Sequence, residues 1–286
     1  MPGANSDFET REFQAPDGVR LVADVGGPLD APTVILLHGG GQTRHSWSGS
    51  MKALMGAGYR VINFDARGHG DSDWSDKGAY SISDRAMDLE TLCKEAGDRF
   101  AVVGASLGGA TIIRAIADGL HPSAAVFVDI TPDPEEAGVT RVVDFMSSHP
   151  EGFADIEEAA DAVAAYNPAR PRPNDPSGLR KNLREGDDGR LRWHWDPRIV
   201  TQRVEEHRRD VRDAAEALAE LTHIPVMLVR GLLSDIVSER SVESFRRMVP
   251  RLEVFDVAGA GHMVAGDRND HFSTGVIEFL KRNMPA

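Results

Sequence analysis

The chain lacks several features on which whole classes of protein depend. Its 286 residues include a single cysteine, Cys93, so it can form neither an intrachain disulfide nor a cluster of thiolate metal ligands. No stretch approaches the roughly 18 consecutive apolar residues that predict a membrane-spanning helix. Basic residues are outnumbered, 32 against 45 acidic ones, and the resulting charge of −13 disfavours nucleic acid and anionic lipid as partners.

Motifs for metals, nucleotides and export are also missing. There is no HExxH sequence and no Walker-type GK[ST] sequence, and the acidic segment "DSDWSD" lacks the glycine and glutamate of a calcium loop. We therefore expect neither a metal nor an organic cofactor. The first residues, "MPGANSDFET", lack the basic segment and apolar core of a signal peptide, which makes the cytoplasm the expected location.

Short apolar runs alternate with helix-length amphipathic segments along most of the chain. Such alternation is typical of βαβ units and of a mostly parallel sheet with helices on both faces. The predicted strands are 33–37, 59–64, 100–104, 124–130, 225–231 and 252–257. The predicted helices are 47–57, 81–96, 106–118, 239–248 and 270–282. Near the start, "TREFQAPDGVRLVADV" predicts a hairpin that turns at Asp17-Gly18.

One long segment, 132–222, breaks this rhythm because it contains no convincing buried strand. We interpret it as a mostly helical insertion between two core strands, with core regions at 1–131 and 223–286. The alternative is a disordered linker. The two tryptophans of "RWHWDP" and several periodic apolar positions favour a packed segment.

The segment "VVGASLGGATII" places Ser106 in a Gly-x-Ser-x-Gly pattern where an apolar run gives way to a predicted helix. This is the setting of a nucleophile elbow, a sharp strand-to-helix turn that presents a serine hydroxyl. Flanking glycines remove Cβ atoms that would clash in such a turn. The alternative role for Ser106 is an ordinary helix N-cap.

A serine nucleophile needs a base, and His262 in "VAGAGHMVAGD" is our candidate because it follows the last predicted strand. His271 is the nearest rival, but it falls within a predicted amphipathic helix. For the acid that orients the histidine we prefer Asp235 in "LVRGLLSDIVS", directly after a strand. Asp129 in "VFVDITP" also ends a strand and is the competitor; an N-cap role for Asp235 stays open.

Main-chain N–H groups near two of these motifs could bind the developing oxyanion. Leu107 follows the serine, and "LLHGGGQ" lets the backbone of Gly40, or failing that Gly41, approach a substrate oxygen closely. We expect His38 in the same segment to hold the loop by hydrogen bonds rather than to transfer protons.

The segments "LLHGGG", "FDARGHGDS", "GASLGG", "RGLLSD" and "GAGHM" together resemble the α/β-hydrolase superfamily, over about residues 8–279. The resemblance implies an eight-stranded, mostly parallel sheet with a helical lid inserted after the sixth strand. It also implies that Asp65 and Arg67 are structural. The nearest likeness is to the small esterase, lactonase and cofactor-free perhydrolase group; epoxide hydrolases and haloalkane dehalogenases place aspartate where this chain has Ser106.

This resemblance implies a serine hydrolase that cleaves a small carboxylic ester or lactone through an acyl-enzyme. The same residues would also serve C–C bond hydrolysis, thioester hydrolysis or perhydrolysis, and a non-catalytic ligand-binding protein of this fold is the alternative from another class. Oligomeric state is not predicted.

Two features of the insertion bear on the substrate. Its aromatic residues either line an acyl pocket or pack the lid onto the core, and packing is the preferred role. The candidate pocket residues are Trp193, Trp195, Phe145, Met146, Tyr166 and, beside the base, Met263. A run of basic residues between 170 and 192 either attracts a substrate carboxylate or, as we prefer, pairs with nearby acids on a solvated face.

Overall fold

The computed structural model describes residues 8–168, 172–201, 204–262 and 269–286, apart from the side chains of 204–207 and 269–271. An eight-stranded sheet runs through these residues. Its strands are β1 (Phe8–Gln14), β2 (Arg20–Gly26), β3 (Thr33–Leu37), β4 (Arg60–Phe64), β5 (Phe100–Ala105), β6 (Ala124–Val128), β9 (Val226–Gly231) and β10 (Glu253–Val257). They lie in the order β1-β2-β4-β3-β5-β6-β9-β10.

All neighbouring strands from β4 to β10 pair in parallel, whereas β2 is antiparallel to both β1 and β4. Every residue of β3, β4 and β6 is buried, as expected for strands covered on both faces. The β1–β2 hairpin closes with Gln14 opposite Arg20, and Gly18 has a φ of 92°, which explains glycine at the predicted turn.

Eight α-helices accompany these strands in the described part of the chain. They are α1 (Ser48–Gly56), α2 (Ile82–Ala96), α3 (Leu107–Ala117), α4 (Glu136–Ser147), α5 (Ile156–Tyr166), α6 (Val204–Glu220), α7 (Glu239–Met248) and α8 (Asn269–Asn283). Successive side chains of a strand point to opposite faces of the sheet, and each face has its own apolar core. Ile35 packs with α2 and α3 on one face, and Leu36 packs with α1 and α8 on the other. The predicted mostly parallel sheet with helices on both faces is therefore confirmed.

The segment between β6 and β9 contains α4, α5, α6 and a small antiparallel hairpin of β7 (Leu183–Glu185) and β8 (Leu191–Trp193). Part of this segment forms an apolar cluster of its own, which includes Phe153 and Trp193. No described side chain of helix α6 belongs to that cluster. Its buried face, which includes Ala215 and Leu218, packs along α3 in the main core.

The expected insertion boundary at residue 222 is thus too far along the chain, because α6 belongs to the core layer that covers the sheet. None of the described helices is long and apolar enough to cross a membrane.

Candidate active site

The turn between β5 and α3 forces Ser106 into a strained backbone conformation, with φ of 46° and ψ of −113°. The strand and the helix pass very close to one another here. A Cβ on Gly104 would lie 2.5 Å from the carbonyl carbon of Gly108, and a Cβ on Gly108 would lie 2.5 Å from the carbonyl oxygen of Leu37. Both motif glycines are therefore required by packing, and the serine sits at the tip of the turn.

The imidazole of His262 is held by a buried carboxylate. Its Nδ1 lies 2.7 Å from Oδ2 of Asp129, whose side chain is 1% exposed. Because a carboxylate only accepts, Nδ1 must donate, which leaves Nε2 as the ring's free acceptor when the ring is neutral. The carboxylate of Asp129 also accepts from the main-chain N–H of Gly231 at 3.1 Å and from the hydroxyl of Ser234.

These contacts follow from the topology of the sheet. Asp129 comes directly after β6, and Ser106 directly after β5, where the N–H of Ser106 donates to Val128 at 3.0 Å. His262 lies on the loop beyond β10. Since the carboxyl ends of parallel strands meet at one edge, residues far apart in sequence converge there.

Asp235, the acid preferred from the sequence, does not hold this position. Its carboxylate is 40% exposed and accepts from Arg141 of α4 at 2.9 Å. The strand that precedes it, β9, is the immediate neighbour of β6, so both strands end near His262. The turn after β9 directs Ser234 inward to Asp129 and Asp235 outward, which explains why the expected residue is wrong and its competitor takes the contact.

The structure distinguishes among the three main-chain N–H groups predicted to bind the oxyanion. Leu107 is the first residue of α3, where N–H groups have no acceptor within the helix, and it lines a cavity together with Ser106 and Gly40. Gly41, the fallback, donates its N–H to Nε2 of His69 at 3.1 Å. That bond leaves Gly40 as the better-placed donor from the glycine loop.

Buried histidines hold the glycine loop in place. Nδ1 of His38 lies 2.8 Å from the carbonyl oxygen of Gly39, and its Nε2 accepts from the N–H of Ala66 at 2.9 Å. His194 from the insertion accepts at Nδ1 from the N–H of Gly70 at 2.7 Å. Burial lowers the pKa of His38, and lowers that of His194 to about 4. At neutral pH these rings are uncharged scaffolding, in agreement with the structural role expected for His38.

Asp65 and Arg67 also tie loops together. Asp65 is fully buried and accepts from the main-chain N–H groups of Arg44 at 2.7 Å and Asp71 at 2.9 Å. Arg67 is fully buried as well; two of its nitrogens bond Asp88 at 2.7 Å each. Both side chains are therefore used to hold neighbouring segments together, which is the structural role expected for them.

The cavity beside Ser106 has a volume of about 180 Å³. Its walls are mainly apolar, and Met146 is among them, as the sequence suggested. The aromatic residues expected to share that role pack with one another instead: Trp193 stacks on Trp195 with centroids 4.9 Å apart, and Phe145 stacks on Tyr166 at 4.2 Å. Among the described residues that line the cavity, none of these four occurs.

Those four aromatic rings therefore pack mainly on one another within the insertion, whereas the preferred expectation was that they pack the insertion onto the core. The cluster lies against the loop of residues 39–41, since a Cβ on Gly41 would come within 3.4 Å of the Trp195 ring. Met263, the last candidate pocket residue, lies outside the described residues.

The basic residues of the insertion mostly serve the insertion itself. Arg172 pairs with Glu157 and Asp161, and Arg192 pairs with Asp188. Other side chains of the run bond backbone oxygens: Arg190 donates to the carbonyls of residues 151 and 152, and Arg184 to that of residue 70. The preferred expectation, pairing with nearby acids, therefore describes Arg172 and Arg192, whereas Arg184 and Arg190 bond main-chain oxygens.

Sequence reasoning missed three residues of the site. Ser234 shares the turn with the favoured Asp235, and only the direction of the turn distinguishes them. Arg85 occupies a polar position of an amphipathic helix that predicts a solvent-facing side chain, yet it is 3% exposed and lines the cavity. Thr131 follows Asp129 and lines the same cavity without a recognisable sequence signal.

Comparison with known proteins identifies the family of the chain. The sequence profile described as "Alpha/beta hydrolase family" matches residues 34–272. The chain belongs to the alpha/beta hydrolase family. This alpha/beta hydrolase is 33% identical over 250 residues to the esterase Rv0045c of Mycobacterium tuberculosis, a match that covers 83% of the chain and 79% of the relative.

A second relative is the 2-(acetamidomethylene)succinate hydrolase of Mesorhizobium japonicum, 32% identical over 215 residues, with 72% of this chain and 73% of the relative covered. The crystal structure of an E-2-(acetamidomethylene)succinate hydrolase superposes with a TM-score of 0.82 at 25% identity, over 96% of this alpha/beta hydrolase and 99% of that chain. The named relatives and the structural neighbours show that the chain is an alpha/beta hydrolase enzyme.

Proposed function

We propose that this enzyme is a serine hydrolase that cleaves a small carboxylic ester or lactone through an acyl-enzyme intermediate. The proposal is carried by two observations: Ser106 has a strained backbone at the elbow, and the buried carboxylate of Asp129, which follows the neighbouring strand, fixes Nδ1 of His262. The name of the relative Rv0045c, an esterase, supports an ester as the substrate.

In the proposed first half-reaction, the hydroxyl oxygen of Ser106 attacks the acyl carbonyl while Nε2 of His262 takes the hydroxyl proton. Asp129 stabilises the imidazolium and keeps Nδ1 protonated. The negative charge that develops on the carbonyl oxygen is bound by the N–H groups of Gly40 and Leu107. His262 then gives its proton to the departing alkoxide, and the C–O bond to the alcohol breaks.

In the second half-reaction, water replaces the alcohol. His262 removes a proton from water, the hydroxide attacks the acyl carbon, and the ester bond to Ser106 breaks as His262 returns the proton to the serine oxygen. The products are the free acid and the regenerated enzyme. A ring ester follows the same steps, with the hydroxyl and the acid released as one molecule.

Turnover of a panel of p-nitrophenyl esters of increasing acyl length, γ- and δ-lactones and an acyl thioester tests this proposal. We expect ester or lactone hydrolysis by the wild type, and a loss of more than about 10⁴-fold in kcat for Ser106→Ala, because no other group replaces the nucleophile. Ser48→Ala is the matched control and should retain wild-type turnover, because Ser48 is exposed and its hydroxyl donates to the carbonyl of His45 at 2.9 Å. Turnover of the thioester alone would move the proposal to a different substrate class, and unchanged turnover in Ser106→Ala would overturn it.

A further inference from the structure

Arg85 is a buried cation in the cavity that contains Ser106. The residue lies in the first turn of α2 and is 3% exposed, and its side chain forms part of the cavity wall. Burial lowers the pKa of its guanidinium to about 10, so the group still carries its charge at neutral pH. A charge in such a place is costly unless a partner compensates it.

The neighbours of Arg85 in the described part of the chain do not supply that partner. The one hydrogen bond of its side chain to a described residue runs to the carbonyl oxygen of Arg67 at 3.3 Å. The guanidinium lies 5.8 Å from the Tyr80 ring, and Nε has no partner among the described residues. Asp88, one turn further along α2, directs both carboxylate oxygens to Arg67 at 2.7 Å. No described carboxylate therefore lies within 4 Å of the Arg85 guanidinium.

The other described residues of the cavity wall also offer hydrogen-bond donors and positive charge but no carboxylate. The hydroxyl of Thr131 is buried and has no hydrogen-bond partner among the described residues, and Arg208 contributes a second guanidinium that is 18% exposed. A carboxylate oxygen of Glu136 lies 3.8 Å from the Arg208 guanidinium. Among the described lining residues there is no aspartate or glutamate, and most of the remaining wall is aliphatic.

We propose that this cavity selects esters that bear a carboxylate, with the guanidinium of Arg85 as the main partner of that carboxylate and the Thr131 hydroxyl as a further donor. A carboxylate accepts two parallel hydrogen bonds from one guanidinium, which neither a hydroxyl nor a methyl group can do. The inference rests on the proposed function, because it names the substrate class of the same site.

Paired substrates test the proposal without any mutation. Benzyl hemiesters of succinic, glutaric and adipic acid are compared with benzyl esters of pentanoic, hexanoic and heptanoic acid, by chromatography of released benzyl alcohol. Butyryl esters of glycolic and 3-hydroxypropionic acid, against propyl butyrate, place the carboxylate on the alcohol side instead. We expect at least one acidic ester to exceed its uncharged partner by about 10- to 100-fold in kcat/KM, the worth of a charge-assisted hydrogen bond.

The variant Arg85→Gln should lower the ratio of acidic to uncharged kcat/KM by at least about 10-fold, and Arg85→Lys should restore part of it because the positive charge returns. Arg114→Gln removes a surface arginine paired with Asp118 and should keep the wild-type ratio. Circular dichroism and the unfolding midpoint verify that each variant is folded.

Two outcomes overturn the inference. In one, the wild type prefers the uncharged partner in every pair; in the other, Arg85→Gln lowers turnover of both members equally, as a purely structural arginine would. Failure of the proposed function looks different, because then neither member of any pair is hydrolysed.

Discussion

Replacement of Asp129 by asparagine should lower kcat/KM for ester hydrolysis by about 10³–10⁴-fold without loss of the fold. The side chain keeps its size, but an amide no longer fixes Nδ1 of His262 as the protonated nitrogen and no longer stabilises the imidazolium. The contact at stake is the 2.7 Å bond between Nδ1 and the buried carboxylate. Initial rates over a range of ester concentrations, with far-ultraviolet circular dichroism as the check of folding, give the comparison.

Asp235→Asn is the matched control, because it makes the same chemical change at the end of the neighbouring strand. Asp235 is 40% exposed and paired with Arg141, so its loss should change kcat/KM by less than about 3-fold. A large loss in Asp235→Asn with near-normal activity in Asp129→Asn would show that the acid acts from β9 after all.

The second large effect is on stability: Arg67→Met should lower the free energy of unfolding by about 3–5 kcal/mol. Arg67 is fully buried, and its removal leaves the buried carboxylate of Asp88 without its two 2.7 Å bonds and Asp17 without its bond at 2.9 Å. Urea unfolding followed by circular dichroism measures the loss. Burial raises the pKa of Asp88, and without Arg67 it should rise further.

The raised pKa of Asp88 predicts how the stability loss in Arg67→Met depends on pH. A carboxylate whose pKa is higher in the folded state than in the unfolded state stabilises the fold at low pH and loses that contribution as pH rises. The loss in Arg67→Met should therefore shrink as the pH falls.

A matched pair of variants separates the buried ion pair from a general effect of losing an arginine. Arg114→Met removes the partner of Asp118 on the surface of α3, where both side chains are about one-third exposed, and should cost less than about 1 kcal/mol. The double variant Arg67→Met/Asp88→Leu should recover part of the loss, because the carboxylate of Asp88 is then no longer buried without its partner. Equal losses from Arg67→Met and Arg114→Met would contradict the structural role assigned to Arg67.

The fold could be predicted from the sequence because its determinants are local. Runs such as Thr33–Leu37 and Ala124–Val128 are apolar and continuous, and they become strands buried on both faces. The elbow is local too, since a Gly-x-Ser-x-Gly segment between a strand and a helix leaves few backbone paths. Helix α6 escaped correct placement because its amphipathic pattern shows that one face is buried but not which layer buries it.

The acid of the site could not be ranked from the sequence for a geometric reason. Asp129 and Asp235 both follow parallel strands, and those strands are neighbours, so both fall near the histidine loop. A positive φ of 50° at Asp129 and the inward direction of Ser234 decide between them, and neither is visible in the sequence. Arg85 escaped notice because an arginine in an amphipathic helix is usually on the solvent side.

Covalent trapping of Ser106 tests the central claim most directly. The wild type and Ser106→Ala are incubated with a fluorophosphonate, and intact mass and peptide mapping by mass spectrometry locate the adduct. An activated serine at the elbow predicts one phosphonyl group per chain, on Ser106, no adduct at this position in Ser106→Ala, and much slower labelling of Asp129→Asn. Folded wild-type protein that hydrolyses esters while Ser106 stays unlabelled, or that is labelled at a different residue, would contradict the account.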